Sequence, residues 1–344
     1  MSKSLLDSLN TALLAALSED ERVLLLGEDI LDPYGGAFKV TRGCSTAYPD
    51  RVLTTPISEA GLGGVCAGLA LRGMRPVLEI MFGDFTTLLA DQLINHISKF
   101  RWMYNNTVAV PLVVRAPMGG RRGYGPTHSQ TLEKLYLGVP GLTVAAPLNF
   151  DLPNYGDCAG GLLKKIILEG DSPVLFVENK LQYLLTMLGV QELKEFHLSY
   201  SFSEIDTNKR YPCIRLTVKG APAASVTMAA YGYMAELTRQ AQLKLAYEDE
   251  IFTELVIPTC LAPFDVAPIL DSVARSGRLL TVEEGTRTLG WGAEILARVG
   301  EQQPALQKAA RVAALDLPVP AAPALEKGVL PQVEDIIAAV KKMV

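Results

Sequence analysis

Thr55-Pro56-Ile57-Ser58-Glu59-Ala60-Gly61-Leu62-Gly63-Gly64-Val65-Cys66-Ala67-Gly68 is the stretch on which the reading of the whole chain turns. Pro56 disfavours helix in Thr55 and sets an extended or turn entry, and Ser58 is a residue type that caps helices. A helix is therefore expected to open at Glu59 and run to Ala70. Gly61, Gly64 and Gly68 recur at three- and four-residue intervals, so they share one face of that helix. Each glycine inside a helix costs roughly 1 kcal/mol relative to alanine, so a bare face implies close approach by another helix or by a ligand. Two readings fit: a tightly packed core helix whose first residue happens to be acidic, or a carboxyl group held at a helix start for a function.

Working outward, Leu5, Leu9, Leu13 and Leu17 fall at helical spacing, and Val23 to Leu26 follows as a buried strand ending in Gly27-Glu28-Asp29. The carboxyl edge of an open α/β sheet is where ligands bind, which makes Glu28 a candidate beside the reading of a solvated turn. Pro76 to Met81 is expected to be a strand. Phe82 to Phe85 leads from it into a helix whose apolar stripe is Phe85, Leu88, Leu89, Leu93, Ile97 and Phe100, with His96 as a packed or interfacial histidine. The Val-rich strand Val108 to Arg115 then runs into Ala116 to Gln130, where glycine and proline forbid regular structure. His128 ends that loop. It is either a solvated loop histidine or a proton-transfer group at the same sheet edge as Glu28.

Strands at Leu142 to Ala146 and Pro173 to Val177 flank a helix at Ala159 to Leu168, and Asn149 to Asp157 reads as a loop. Beyond residue 190 the periodicity degrades, and 191–222 reads as a linker carrying edge strands. From Ala224 the strand–helix alternation resumes, with a turn at Glu283 to Gly292 and a terminal helix from Gln332. Alternation of this kind requires parallel sheets. The expected fold is α/β, two three-layer αβα domains with mainly parallel sheets: a first domain over 1–190, the linker over 191–222, and a second domain over 223–344.

A chain of 344 residues suits two such domains, and its 49% hydrophobic content with a mean hydropathy of +0.21 points to surface buried against a partner chain. No uncharged run reaches the roughly 18 residues a membrane span needs, and Asp7 and Asn10 interrupt the N-terminal apolar stretch where a secretory signal needs continuity. These features point to the cytoplasm. Five cysteines without a C-x-x-C pair indicate neither a disulfide framework nor a zinc site. A net charge of -5 with dispersed Lys and Arg argues against nucleic acid. The G-x-G-x-x-G, P-loop, G-x-S-x-G and H-E-x-x-H patterns are all missing.

The motifs present form an ordered series: G-E-D at Gly27 to Asp29, P-I-S-E at Pro56 to Glu59, E-I-M-F-x-D-F at Glu79 to Phe85, and D-Q at Asp91 and Gln92. G-P-x-H-S-Q at Gly125 to Gln130, P-G-L at Pro140 to Leu142, and E-E-G-x-R-T-x-G-x-G-A-E at Glu283 to Glu294 complete it. In this order the chain resembles the β subunit of the thiamine-diphosphate-dependent decarboxylating component of 2-oxo acid dehydrogenase complexes. The resemblance implies a transketolase-like pyrimidine-binding domain followed by a transketolase C-terminal domain. It also implies an α2β2 assembly with a separate α subunit and a lipoyl acyltransferase core to receive the acyl group.

By the same resemblance Glu59 hydrogen-bonds the aminopyrimidine ring of the cofactor, and Glu28, Ile57, Met81 and Phe85 line its site. His128 faces the substrate and the lipoyl group. A carboxyl group on the ring nitrogen of the pyrimidine drives the tautomer shift that frees an internal base, and a water-poor cleft strengthens that interaction. No G-D-G with following paired asparagines is present, so the diphosphate and its magnesium belong to the α subunit. A structural potassium site near Asn149 to Asp157 is implied too. Arg121-Arg122 and the segment 193–222 depart from the family pattern. Two other functions stay open: the pyrimidine half of a split transketolase-like enzyme that passes its carbon unit to an aldehyde, and a non-catalytic assembly module.

Overall fold

The protein is described from a computed structural model covering residues 3–344. The chain divides into two compact units. The first holds the residues up to Met118 together with Leu135–Met187; the second holds Gly119–Lys134 together with Leu188–Val344.

In the first unit the helix Leu5–Glu19 starts from a capping box, in which the Ser4 hydroxyl accepts from the Asp7 amide (3.1 Å) and the Asp7 carboxylate accepts from the Ser4 amide (3.0 Å). Leu5, Leu9, Leu13 and Leu17 are fully buried, as their spacing requires. Strands lie side by side in the order Thr143–Ala145, Val174–Asn179, Val113–Met118, Arg75–Glu79, Val23–Gly27 and Val52–Thr54, every neighbouring pair parallel. Strands of this kind are covered on both faces, which explains the near-continuous apolar runs. Val113–Met118 starts five residues later than the valine run suggests, and residues 108–112 only lead into it.

Two further expectations are corrected here. The helix expected over residues 85–100 is a 3₁₀ turn at Gly83–Phe85, an α-helix at Thr86–Asp91, a π-helical stretch at Gln92–Ile97 and a last turn at Phe100–Met103. Leu89, Leu93 and Ile97 are buried, whereas Leu88, expected in the same stripe, is 58% exposed. The loop at Asn149 to Asp157 contains a small antiparallel pairing of Asp151–Leu152 with Gly156–Asp157.

The second unit orders its strands Lys308–Ala314, Arg278–Thr286, Val226–Ala230, Thr253–Pro258, Pro212–Val218 and Phe196–Phe202. The first three junctions are parallel and the last two antiparallel. The segment 191–222, expected as a linker, is thus mostly a hairpin, with Phe196 opposite Val218 and Phe202 opposite Pro212. Its inward positions alternate with exposed His197, Ser199 and Ser201 in one strand and half-buried Cys213, Arg215 and Thr217 in the other, a mixture that hid the two-residue period. A further helix, Pro323–Val329, begins at the last residue of the proline-rich stretch Pro318 to Pro323, which reads as a connection; Pro323 suits the first helical turn, where its missing N–H has no partner to lose.

A buried charge network ties the first sheet together. Arg115, 1% exposed, donates from Nε and Nη2 to both oxygens of Glu178 (2.7 and 2.8 Å) and from Nη1 to Glu79 (2.6 Å), and the Tyr183 hydroxyl donates to Glu178. Two carboxylates, on the strands to either side of Val113–Met118, therefore depend on one guanidinium. Replacing Arg115 by Met removes the counter-charge of both and leaves Glu178 only the Tyr183 hydroxyl, and the expected loss of unfolding free energy is about 3–5 kcal/mol, measured by urea titration. A loss under about 1 kcal/mol would show that the network is not structural.

Candidate functional site

Val23–Gly27 and Val52–Thr54 are parallel neighbours with Gly27 opposite Thr54, so the segments leaving their carboxyl ends emerge side by side. That pairing brings Glu28 to the Ser58–Glu59 turn. The Ser58 backbone N–H donates to Glu28 Oε1 at 3.1 Å, and the two carboxyl groups are both buried, Glu28 at 6% and Glu59 at 5% exposure. Burial, and then the neighbouring Glu59 charge, push the Glu28 carboxyl above the ordinary carboxylate range, while the Ser58 N–H works the other way. The helix runs Glu59–Leu71 and places Glu59 in its first turn, at the positive end of the helix dipole. Ser58 occupies the N-cap position, but its side chain makes no capping bond; its amide is engaged by Glu28.

Around these carboxyls the surface is unusual. Ile57 is 80% exposed, and the Thr55 hydroxyl oxygen is buried with no hydrogen-bond partner. The Gly61, Gly64 and Gly68 face is also exposed. A Cβ at Gly68 would meet nothing within 4 Å, and one at Gly64 only Gln92 Oε1 at 3.8 Å. The packed glycine is Gly63, set against Leu89 and Gln92. Of the two sequence readings, the core helix holds for the side carrying Leu62, Cys66, Ala67 and Ala70, and fails for the glycine stripe.

Met81 and Phe85 follow the strand Arg75–Glu79 and are each half-buried. The chain there is fixed by aromatic contacts, with Phe82 5.8 Å from Phe85 and 5.4 Å from Phe38, and Phe38 5.5 Å from Tyr183. Ile80 donates its amide to Arg115 O at 3.0 Å, so the buried charge network sits directly beneath this segment. Arg115 and Glu178 were not singled out from sequence. The available signal was an arginine inside a strand otherwise apolar enough to be buried on both faces, a position that requires a paired carboxylate.

His128 belongs to the second unit, on the loop Gly119–Lys134. It is half-buried, its Nδ1 lies 2.9 Å from the Thr127 hydroxyl, and its amide donates to Gly125 O at 3.3 Å. The loop closes on itself through the Gly119 amide and Gln130 O, 3.1 Å apart. At its end lies a buried acidic group that sequence reasoning also missed: Glu133 accepts from the Tyr231 hydroxyl (2.6 Å), and Glu283 accepts from the Gly292 amide (3.0 Å). Both are fully buried, and each keeps one oxygen without a partner.

Comparison with known proteins gives this architecture a class. Residues 2–184 match the family described as transketolase, pyrimidine binding domain, and residues 218–336 match transketolase, C-terminal domain. The fold is also that of a solved "Split gene transketolase, inactive beta4 tetramer", with a TM-score of 0.72, 20% identity, and coverage of 100% of this chain and 98% of that one. The chain is thus a two-domain protein of transketolase type.

Curated relatives narrow the class. The chain is 36% identical over 341 residues to the mitochondrial pyruvate dehydrogenase E1 component subunit beta-1 of Arabidopsis thaliana, covering 98% of this chain and 88% of the relative. It is 37% identical over 339 residues to subunit beta-1 of Oryza sativa subsp. japonica, covering 98% and 85%. With the corresponding subunit beta of Rattus norvegicus it shares 34% over 343 residues, covering 98% and 89%. The chain belongs to the family of pyruvate dehydrogenase E1 component β subunits.

The acidic group predicts a pH dependence. Burial, and then the charge of Glu133, push the Glu283 carboxyl from 4.5 up to about 8. The folded state therefore holds a proton that the unfolded chain releases, so this contribution to stability is complete below about pH 4.5 and is lost as pH rises through about 8. Glu283→Gln removes the titration without removing the bulk. Urea unfolding at about pH 5 and about pH 8.5 should show a smaller fall in stability for the variant than for the parent, and equal falls would contradict the assignment.

Proposed function

We propose that this chain is the β subunit of a thiamine-diphosphate-dependent 2-oxo acid dehydrogenase, binding the aminopyrimidine half of the cofactor at Glu59 and working with an α subunit. The observation that carries the reading is the pair of buried carboxyls, Glu28 and Glu59, set at the carboxyl ends of two adjacent parallel strands and beside an exposed Ile57. Family membership supports it, since the named relatives are pyruvate dehydrogenase E1 β subunits.

The residues fit the pyrimidine half of the group. A carboxyl at a helix start, shielded from bulk water, can accept from or donate to a ring nitrogen, and the empty space over the glycine stripe leaves room for atoms this chain does not supply. Thiamine diphosphate, when bound, would supply a nucleophilic thiazolium carbon for the 2-oxo group. Glu59 holds and exchanges the proton at the ring nitrogen. Glu28, whose carboxyl burial makes hard to ionise, steadies the Ser58–Glu59 turn through the Ser58 amide. Met81 and Phe85 give the ring an apolar wall and exclude water, which favours loss of carbon dioxide through a less charged transition state. His128 serves the transfer of the acyl group to lipoyl acceptors.

The diphosphate and magnesium are assigned to the α subunit. The exposed glycine stripe supports a second chain packing there, since a helix stripped of side chains on one side is costly unless another backbone approaches it. The exposed Ile57 supports it as well.

The assembled α/β protein should decarboxylate 2-oxo acids with an artificial electron acceptor only when thiamine diphosphate and magnesium are present, and turnover without them would overturn the reading. A requirement for an aldehyde acceptor would favour the split transketolase-like alternative. Glu59→Gln retains a hydrogen bond but cannot trade the proton, and kcat should fall roughly 100-fold or more. Full activity in that variant would leave the chain an assembly module. His128→Ala should slow lipoyl transfer more than it weakens cofactor binding, and equal losses would count against its role.

A further inference from the structure

The loop that carries His128 is rich in glycine and proline, yet its backbone is held by side chains from two other parts of the second unit. The Gly120 amide donates to Glu284 Oε1 at 2.7 Å. The Arg121 amide donates to Glu326 Oε1 at 2.7 Å, and the Gly123 amide to Glu326 Oε2 at 3.2 Å. Both carboxylates are buried, so each bond is charge-assisted and little competed for by water.

Arg121, one of the two arginines that depart from the family pattern, has a backbone φ of +68°, a conformation uncommon outside glycine. Its side chain shows why that conformation persists. One end donates to Pro331 O, Nε lies 3.9 Å from Glu284 Oε2, and the guanidinium stands 5.5 Å over the Tyr233 ring. At the far end of the loop, Lys134 donates to Thr288 O at 2.7 Å and to the Thr286 hydroxyl, and Glu133 receives the Tyr231 hydroxyl. The single turn that follows strand Arg278–Thr286 thus grips the loop near its end, while Glu284 of that strand grips its start.

Glu326 is the sharper indicator. Its helix, Pro323–Val329, turns this carboxylate inward, at 4% exposure, and leaves Leu325 63% exposed. Ordinary packing does the reverse, because a buried carboxylate costs free energy that a buried leucine returns. The three backbone N–H groups received by Glu284 and Glu326 explain the inversion.

We infer that Glu284, with Arg121 as its counter-charge, and Glu326 are positioning residues that lock the His128 loop into one conformation for acyl transfer. The inference rests on the role of His128 proposed above. Between the clamped ends, Arg122, Tyr124 and Thr127 remain exposed and His128 half-exposed, so the clamp fixes the frame and leaves the tip accessible.

Glu326→Gln tests it, because a carboxamide offers one acceptor where the carboxylate offers two. In the full-length protein, hydrogen exchange of the amides in 119–125 should accelerate about tenfold or more, the change expected for losing one charge-assisted hydrogen bond, while peptides elsewhere keep their rates. Trypsin should likewise nick the chain at Arg121 or Arg122 faster. In the assembled enzyme, KM for a lipoyl acceptor should rise while kcat with an artificial acceptor stays within about twofold, a split that general destabilisation does not produce. Glu326→Asp, which keeps both oxygens, should restore part of the protection, and Arg121→Lys should open the loop less than Arg121→Gly. Unchanged exchange in Glu326→Gln, or equal loss with both acceptors, would overturn the inference. Should His128→Ala leave lipoyl transfer intact, the role of that histidine fails, and the exchange result still decides whether the clamp exists.

Discussion

Most of what can be said about this chain depends on one register: Gly27 opposite Thr54, in a parallel pair at the carboxyl edge of the first sheet. Parallel pairing places both strand exits on the same side, which an antiparallel pair would not do. The two exits carry Glu28 and the Thr55–Glu59 turn, and one hydrogen bond, from the Ser58 amide to Glu28, ties them. A slip of one residue would turn the side chains of Val52–Thr54 to the opposite face and separate the two carboxyls. Val23–Gly27 is buried at every position, so the strand that carries Glu28 is anchored in the core for reasons unrelated to chemistry at the edge. A site built this way inherits its precision from the core.

The same logic explains the Arg115 network. Three parallel strands, Arg75–Glu79, Val113–Met118 and Val174–Asn179, contribute Glu79, Arg115 and Glu178; Glu79 is paired to Arg115 in the strand register, and Glu178 lies two residues beyond Phe176, the residue opposite Arg115. A buried ion group of this size adds little net stability over an apolar one of equal volume. Its consequence is geometric. Arg115 uses three nitrogens on two carboxylates, and the segment that leaves Glu79 toward Met81 and Phe85 begins from a strand end that cannot shift without breaking one of those bonds. Phe38, Phe82 and Tyr183 pack the same region from the aromatic side.

What the sequence made legible follows from how local each signal is. Leu5 to Leu17, the valine-rich strands and the Glu59 helix start are patterns within a few residues, and the structure has them within a few residues of the expected bounds. The ordered motifs from Gly27 to Glu294 supported the family and the α/β class. The hairpin Phe196–Phe202 with Pro212–Val218 was legible only as edge strands within a linker, because strands at a sheet edge with mixed polar residues carry a weak period. The π-helical turn at Gln92–Ile97 has no sequence signature strong enough to displace an ordinary helical stripe. The acid group of Glu133, Glu283, Glu284 and Glu326 escaped for another reason. Glu133, the adjacent pair Glu283 and Glu284, and Glu326 are far apart in sequence, and their burial depends on tertiary packing that no local pattern encodes.

That last group also changes how the long loop should be understood. Glycine and proline at the density of Ala116 to Gln130 read as freedom, and in an isolated chain they would be. The second unit removes that freedom with carboxylates aimed at backbone N–H groups, a device that works whatever the side chains of the loop happen to be. It leaves Arg122, Tyr124 and Thr127 open to variation while Gly120 and Gly123 stay constrained, Gly120 by the close approach of Leu330 and Gly123 by its positive φ. Arg121 is the exception that supports the rule, since a left-handed arginine persists here only because Glu284, Tyr233 and Pro331 hold its side chain. A loop fixed by its frame and variable at its tip is a place where substrate or acceptor preference can change without cost to the fold.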